Sequence, residues 1–436
     1  MSTRKSSASP RATPRTRRAP RRSGPEPVRL GIIGLGLRTE VLLVSLFAIE
    51  GVEIVGVCDV RDTAIARILD IFKQNGKQSP DVERDYRRLL ERSDIDAVLV
   101  PTSWNSHLPI ATEALQAGKY AGIEVGGASS LNELWRLVRA AESTGVSCMM
   151  LENCCYARNE LLVLNMVRQG LFGELIHCCG GYEHDLSEYA CLVEKGFERS
   201  LHNRFRNGDL YPTHQLGPIA KILDINRGNR FLSLTSTASK SRGMQLAAQR
   251  HYGAGTTYGD MPFNMGDIIT TVIKCANGET ITLTHGIALP RPYSRNGRVQ
   301  GTRGLWVEDA KGIYIDGISP SIVKLDVAGN PYTVHKWDPV ESFYEKYDHP
   351  IWQEYRRQEM TGGHGGIDSL ALRAFIDSVR AREETPIDAY DVAAWMSITC
   401  LSEQSIAMGS APVAVPDFTD GKWVIRQRAT GGRWSL

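Results

Sequence analysis

Two short words carry residue types that can move protons. One is Asp209 to Pro218, DLYPTHQLGP; the other is Tyr182-Glu183-His184-Asp185. Imidazole and phenol serve as acid or base when their surroundings tune them, so His214 and Tyr182 are candidates for proton exchange. Pro212 fixes its own φ and biases Tyr211 toward extended backbone. Thr213 and His214 then open a helix bearing Leu216, Ile219, Ala220 and Leu223. A ring in a first helical turn faces a site rather than a core. The positive helix end is expected to lower its pKa and favour the neutral, base-competent form. Glu152, closing an apolar strand beside Asn153, is a further catalytic candidate. Each residue also has a bland reading. A tyrosine packs with its hydroxyl satisfied, and Asn153 caps a helix beginning near Arg158. His184 and Asp185 resemble metal ligands, but no third ligand stands at suitable spacing, and no metal is expected.

Those side chains need elements to hold them. From Val28 the chain reads VRLGIIGLGLRTEVLLVSLF: a buried strand to Ile33, a turn at Gly34-Leu35-Gly36, and a helix from Arg38. A second apolar strand, Val52 to Cys58, ends in Asp59, 23 residues after Gly36. Glycines let backbone N–H groups approach a pyrophosphate, and an acid roughly 20 residues on binds ribose hydroxyls. The pattern predicts a Rossmann dinucleotide-binding domain. Thr39 replaces the third glycine and is expected to push the helix slightly outward. Asp59 favours NAD over NADP, because a carboxylate repels a 2′-phosphate. Strands over Ile95–Pro101, Tyr120–Val125 and Val146–Glu152 alternate with helices over Tyr86–Arg92, Leu108–Gly118 and Leu131–Thr144. Ligands bind beyond the carboxyl ends of parallel strands, which nominates the Trp104–His107 loop, Glu124-Val125 and Glu152-Asn153.

At 436 residues the chain predicts two domains: 28–152 for the nucleotide and 153–436 for substrate and oligomerisation. Residues 1–27 carry eight Lys or Arg against Glu26, leaving the rest of the chain mildly acidic. That tail has little to bury and is expected to be disordered. No basic face for nucleic acid and no membrane span is expected. Paired arginines at 17–18 and 21–22 resemble an export signal, but no apolar segment follows them, so cytoplasmic residence is expected. Nine cysteines without a Cys-x-x-Cys read as reduced thiols, with one of Cys178 and Cys179 pointing inward.

The words GIIGLGLR, LENCCYARNELLVLNMVRQGLFGELIH, NGDLYPTHQLGP, PRPYSRNGRVQGTRG and GHGGID resemble the Gfo/Idh/MocA family, and within it glycoside hydrolase family 109. That resemblance implies a Rossmann domain followed by an α/β domain with a large, mostly antiparallel open sheet. Typical dehydrogenase members carry Glu-Lys-Pro after the fifth strand; this chain reads Glu124-Val125-Gly126, without the lysine. The resemblance implies an NAD-dependent α-N-acetylgalactosaminidase. Such an enzyme oxidises C3 of the sugar transiently, removes the C2 proton, eliminates at C1, adds water and recovers its hydride. Paired carboxylates some 5–10 Å apart are not needed for that route. By position, Leu37, Arg38, Asp59, Trp104, Asn105, Ser106, His107, Glu124, Val125, Asn153 and Tyr211 would contact NAD. Tyr182, Arg199, Tyr211, Pro212, Thr213, His214 and Tyr293 would line the sugar site. His214 would exchange the C3 hydroxyl proton, Tyr182 the C2 proton, and Tyr293 would support it. His364 lies in a glycine-rich turn before a helix from Ser369, able to reach the mouth of its own or a neighbouring subunit's site. A homo-oligomer is expected, since an open sheet face usually finds a partner. Two other readings stay open: a net sugar or cyclitol dehydrogenase, and a nucleotide-binding protein without catalysis.

Overall fold

The computed structural model describes residues 26–193, 198–357, 363–428 and 432–436. The expected basic tail lies outside them, apart from Glu26 and Pro27.

Strands β1 (Val28–Ile33), β2 (Val52–Cys58), β3 (Asp81–Glu83), β4 (Ala97–Val100), β5 (Tyr120–Ile123) and β6 (Cys148–Met150) form one parallel sheet in the order β3-β2-β1-β4-β5-β6. This is the order of a dinucleotide-binding doubly wound sheet. The strands are apolar on both faces because helices cover both, and β4 is buried throughout. The helix Asp62–Gln74 buries Ala64, Ile65, Ile68 and Phe72, one stripe at helical spacing. Ser130 caps the helix Leu131–Thr144 by accepting from Glu133 N at 3.3 Å, and Gly145 closes it in the left-handed conformation.

The second sheet has nine strands. They are β7 (Leu175–Glu183), β8 (Phe231–Ala238), β9 (Ile269–Cys275), β10 (Thr280–Gly286), β11 (Arg298–Gly301), β12 (Gly304–Val307), β13 (Gly312–Ile315), β16 (Asp338–Pro339) and β17 (Val413–Ala414). Their order is β16-β13-β12-β11-β7-β10-β9-β8-β17. Among the described residues only β7 and β10 pair in parallel; the rest run antiparallel, as expected. β9 and β10 form the hairpin read from Asn277-Gly278, with Gly278 at φ 107°. Two further strands, β14 (Ser321–Leu325) and β15 (Pro331–His335), make a separate ribbon with Val323, Leu325, Val327 and Tyr332 exposed. Cys178 is buried and Cys179 is half-buried, and the cysteines in the described residues are free thiols.

The helix Ala389–Ala407 packs against β8, β6 and the helix Leu131–Thr144, and so joins the two sheets. It is buried nearly all round, which explains its lack of a polar stripe. Its start carries a buried ion cluster. Asp388 caps Tyr390 and Asp391, and Asp391 receives Lys221 Nζ at 2.6 Å and Arg227 Nη1 at 2.7 Å. Lys221 and Asp391 are both buried, so removing one partner leaves a charge uncompensated. Asp391→Ala is expected to cost about 3–5 kcal/mol, read as a lower midpoint in chemical denaturation.

Candidate functional site

The parallel sheet delivers its chemistry at one edge. Beyond the carboxyl ends of its strands lie Gly34–Gly36, Asp59, Ser103-Trp104, Glu124-Val125 and Glu152-Asn153. Gly34 adopts φ 96°, and a Cβ there would meet Thr102 at 2.7 Å. A Cβ on Gly36 would meet nothing within 4 Å, so open space stands over the turn where a pyrophosphate would lie. Leu35 N and Arg61 N donate to the Asp59 carboxylate at 2.8 and 2.9 Å, and Arg61 Nε joins them at 3.1 Å. Thr39 is wholly buried, and its hydroxyl donates to Gly34 O at 2.7 Å, tying the helix to the turn. These residues fit a dinucleotide.

The stretch Trp104–His107, expected as a loop, is the first turn of the helix Trp104–Gln116. Pro109 lies inside that helix, past the first turn where proline is tolerated, which is why the sequence concealed the start. His107 Nε2 pairs with Thr102 O at 2.9 Å, Ser129 Oγ donates to Asn105 Oδ1 at 2.9 Å, and Ser106 Oγ lies 3.0 Å from Ser103 Oγ. The Trp104 indole stacks on Tyr211 at 5.7 Å. A Cβ on Gly126 would strike that indole at 2.5 Å, so glycine is required behind Val125.

Arg38 bridges the halves of the chain. Its guanidinium donates to Glu124 Oε1 at 2.7 Å and takes both Asp368 oxygens at 2.9 Å. Asn153 Nδ2 reaches Asp368 Oδ1 at 2.7 Å, and His364 Nδ1 lies 2.8 Å from Asp368 Oδ2. Asn153 therefore serves this network; the helix Arg158–Arg168 is entered through Ala157 instead. Burial favours the neutral acid at Asp368, but His364 and Arg38 outweigh it and hold this carboxyl below its ordinary range. Leu37, by contrast, is 76 % exposed.

The other half supplies rings. Tyr182, near the end of β7, lies 4.7 Å from Tyr211, 5.5 Å from His214 and 6.1 Å from Tyr293, measured between ring centres. The Arg199 guanidinium stands 4.7 Å from the Tyr211 ring centre and 5.2 Å from that of Trp104. Pro212 and buried Thr213 set the helix start at Thr213–Ile222. His214 Nδ1 then meets Glu152 Oε1 at 2.7 Å.

That contact reverses one expectation. Burial opposes charge on the His214 ring, but Cys154 and Glu152 beside it outweigh burial and raise its pKa well above the usual value. Burial likewise opposes charge on Glu152, and His214 holds its pKa down. A helix terminus contributes about 0.3–1 kcal/mol, less than a carboxylate in direct contact, so the carboxylate sets the direction of the change. Sequence reasoning also missed three neighbours. His184 stands 5.2 Å from Tyr293, Asp368 organises the Arg38 network, and buried His285 stacks 6.3 Å from Tyr182 with Asp209 3.6 Å away. Asp368 lay within the quoted word GHGGID, and His184 was weighed only for metal; nothing in the sequence pointed to His285. Instead of His184 and Asp185, the structure groups Glu152, Cys154 and His214, whose donor atoms lie within 4.8 Å of one another.

Residues 28–152 match the oxidoreductase family with an NAD-binding Rossmann fold, and residues 156–425 match the glycosyl hydrolase 109 C-terminal domain. The chain is 41 % identical over 426 residues to an alpha-N-acetylgalactosaminidase of Tannerella forsythia, covering 92 % of this chain and 88 % of that protein. It is 40 % identical over 425 residues to a glycosyl hydrolase family 109 protein of Parabacteroides distasonis, with the same coverage. The chain belongs to glycosyl hydrolase family 109. It is a glycosidase by family on an oxidoreductase-type frame, with a nicotinamide dinucleotide as its cofactor class. Two solved structures share the fold. A levoglucosan dehydrogenase in complex with NADH and L-sorbose superposes with TM-score 0.64 at 17 % identity, over 90 % of this chain and 100 % of that one. A scyllo-inositol dehydrogenase of Lactobacillus casei does so with TM-score 0.61 at 13 % identity, over 89 % and 99 %. No helix among the described residues is long and apolar enough to cross a membrane.

Asp368 has a testable signature. Its folded pKa lies below the ordinary value of about 3.9, so the stability it adds is present above that value and lost as pH falls through the lower folded one. Asp368→Asn is expected to flatten the acid side of a stability–pH profile, measured by denaturation midpoint.

Proposed function

We propose that this protein is an NAD-dependent α-N-acetylgalactosaminidase that cleaves its glycoside through transient oxidation at C3. The observation that carries the reading is the His214–Glu152 contact beside Tyr182, Tyr211 and Arg199, at an edge shaped for a dinucleotide and lacking a lysine at position 125. The relatives support the substrate class: the Tannerella protein is named for that activity. Gly34, Gly36, Leu37, Arg38, Asp59, the Trp104–His107 turn, Glu124, Val125 and Asn153 would hold the cofactor, with Asp59 favouring NAD over NADP. When bound, NAD supplies a reversible hydride acceptor whose positive ring also favours the neutral imidazole.

The remaining work falls to side chains. His214, oriented by Glu152 through Nδ1, takes the C3 hydroxyl proton and later returns it. Tyr182 takes the C2 proton, with Arg199 placing positive charge where its phenolate forms. Tyr293, 49 % exposed, supports Tyr182 from the mouth of the site. His364 has Nδ1 on Asp368 and its ring largely in solvent, so Nε2 serves the departing glycosidic oxygen and then the incoming water. Two proton-transfer stations, His214 with Tyr182 and His364 apart from them in the chain, divide the reaction between C3 and C1.

With a nitrophenyl α-N-acetylgalactosaminide, nitrophenol release without net NADH is expected, and deuterium at C2 should wash into solvent. Stoichiometric NADH with free sugar would instead make the protein a net dehydrogenase. His214→Ala and Tyr182→Phe should each lower turnover about 10²–10⁴-fold with NAD still bound. His364→Ala should slow cleavage more than C2 exchange. We also propose a homo-oligomer, supported by the exposed apolar side chains of the β14–β15 ribbon. Light scattering is expected to give a mass above one chain, and Val323→Glu with Leu325→Glu to lower it.

A further inference from the structure

A cluster of metal-ligating atoms lies within the site, yet the proposed reaction needs no metal. Glu152, Cys154 and His214 offer a carboxylate oxygen, a thiol sulfur and a ring nitrogen, all within 4.8 Å of one another. Their arrangement is fixed locally. Glu152 stands just before the short 3-10 helix Asn153–Tyr156 and accepts from Cys154 N at 3.2 Å, which folds its carboxylate back over the cysteine. His214 comes from the facing helix start, 2.7 Å from Glu152 Oε1. Glu152 is fully buried, and its Oε2 makes no hydrogen bond, so one acceptor in this cluster is unsatisfied. The Cys154 thiol donates to Asn153 Oδ1 at 3.5 Å, which orients the sulfur.

We propose that Glu152, Cys154 and His214 form an inhibitory site for a borderline-soft divalent cation of the zinc class. One sulfur, one nitrogen and one oxygen make the mixed donor set such ions take, at about 2.3 Å to sulfur and about 2.0–2.2 Å to nitrogen and oxygen. Donors on a tetrahedral ion at those lengths stand about 3.5 Å apart, so small side-chain rotations close the set. Calcium and magnesium prefer oxygen throughout and are excluded by the sulfur and the ring. Binding forms bonds to sulfur, nitrogen and oxygen and releases the thiol and ring protons to solvent. Three protein ligands leave a fourth position for water or a substrate hydroxyl. The ion takes the place of the proton between His214 and Glu152, so the pair can no longer exchange one with the sugar.

The inhibitory half rests on the role given to His214 above; the binding half does not. The NAD-loaded protein is titrated with cobalt(II), then with zinc. One equivalent of cobalt is expected to give a thiolate-to-metal charge-transfer band that zinc abolishes. Cys154→Ser should lose the band, Cys155→Ser should keep it, and Cys154→Ala guards against a folding defect in the serine variant. Zinc should inhibit nitrophenyl glycoside cleavage reversibly. Cys154→Ser should need at least about ten-fold more zinc for the same fractional loss of its own metal-free rate. No band at one equivalent, or a band unchanged in both Cys154 variants, overturns the site. A Cys154-dependent band without inhibition of cleavage overturns the inhibitory role. A Cys154-dependent band in a protein that cleaves no glycoside leaves the metal site standing and refutes the glycosidase reading.

Discussion

One buried carboxylate, Asp368, joins the two halves of this molecule where it matters. It belongs to the C-terminal half, yet it takes both terminal nitrogens of the Arg38 guanidinium, in the first turn of the helix after the glycine turn. The same two oxygens hold Asn153 and His364. A charge desolvated this deeply is tolerable only when fully paired, and here the pairing is shared among an arginine, an amide and an imidazole. The cofactor edge and the outer histidine therefore cannot move independently. Asp368 thus ties the glycine-turn helix to the C-terminal half at the site itself.

The inner wall follows a different rule. Tyr182, Tyr211, His214 and Tyr293 come from a strand end, a helix start and a loop that are distant in the chain and adjacent in space. Because β7 pairs in parallel with β10, His285 is placed beside Tyr182, and the rings become a layer rather than a line. Burial pushes His285 down to about 3 and Asp209 up to about 7, so a neutral imidazole and a carboxyl that titrates near neutrality back the layer. Positive charge behind the phenols comes from Arg199 instead.

Much of this was legible before any coordinates. The parallel sheet announces itself because buried strands, glycine turns and amphipathic helices are local signals, and the turn, Asp59, Glu124 and Asn153 follow from strand ends alone. His214 at a helix start was equally readable from Pro212. What stayed hidden depends on long-range contact. No local signal reports that Glu152 meets His214, 62 residues away, so the sign of the imidazole's shift was misjudged. Pro109 masked the true start of its helix, and the short edge strands of the second sheet carry too few residues to show a period. His184 was considered only as a metal ligand, and its place beside Tyr293 depends on contacts distant in the chain.

Gly126 sets what this turn can carry. Any side chain there would collide with Trp104, and Trp104 stacks on Tyr211. A proline at position 126 would drive its ring into that indole, so Glu-Lys-Pro does not fit the packing behind Val125. The lysine-free turn is held by steric hindrance, and a lysine placed at position 125 would have to enter with glycine, not proline, behind it.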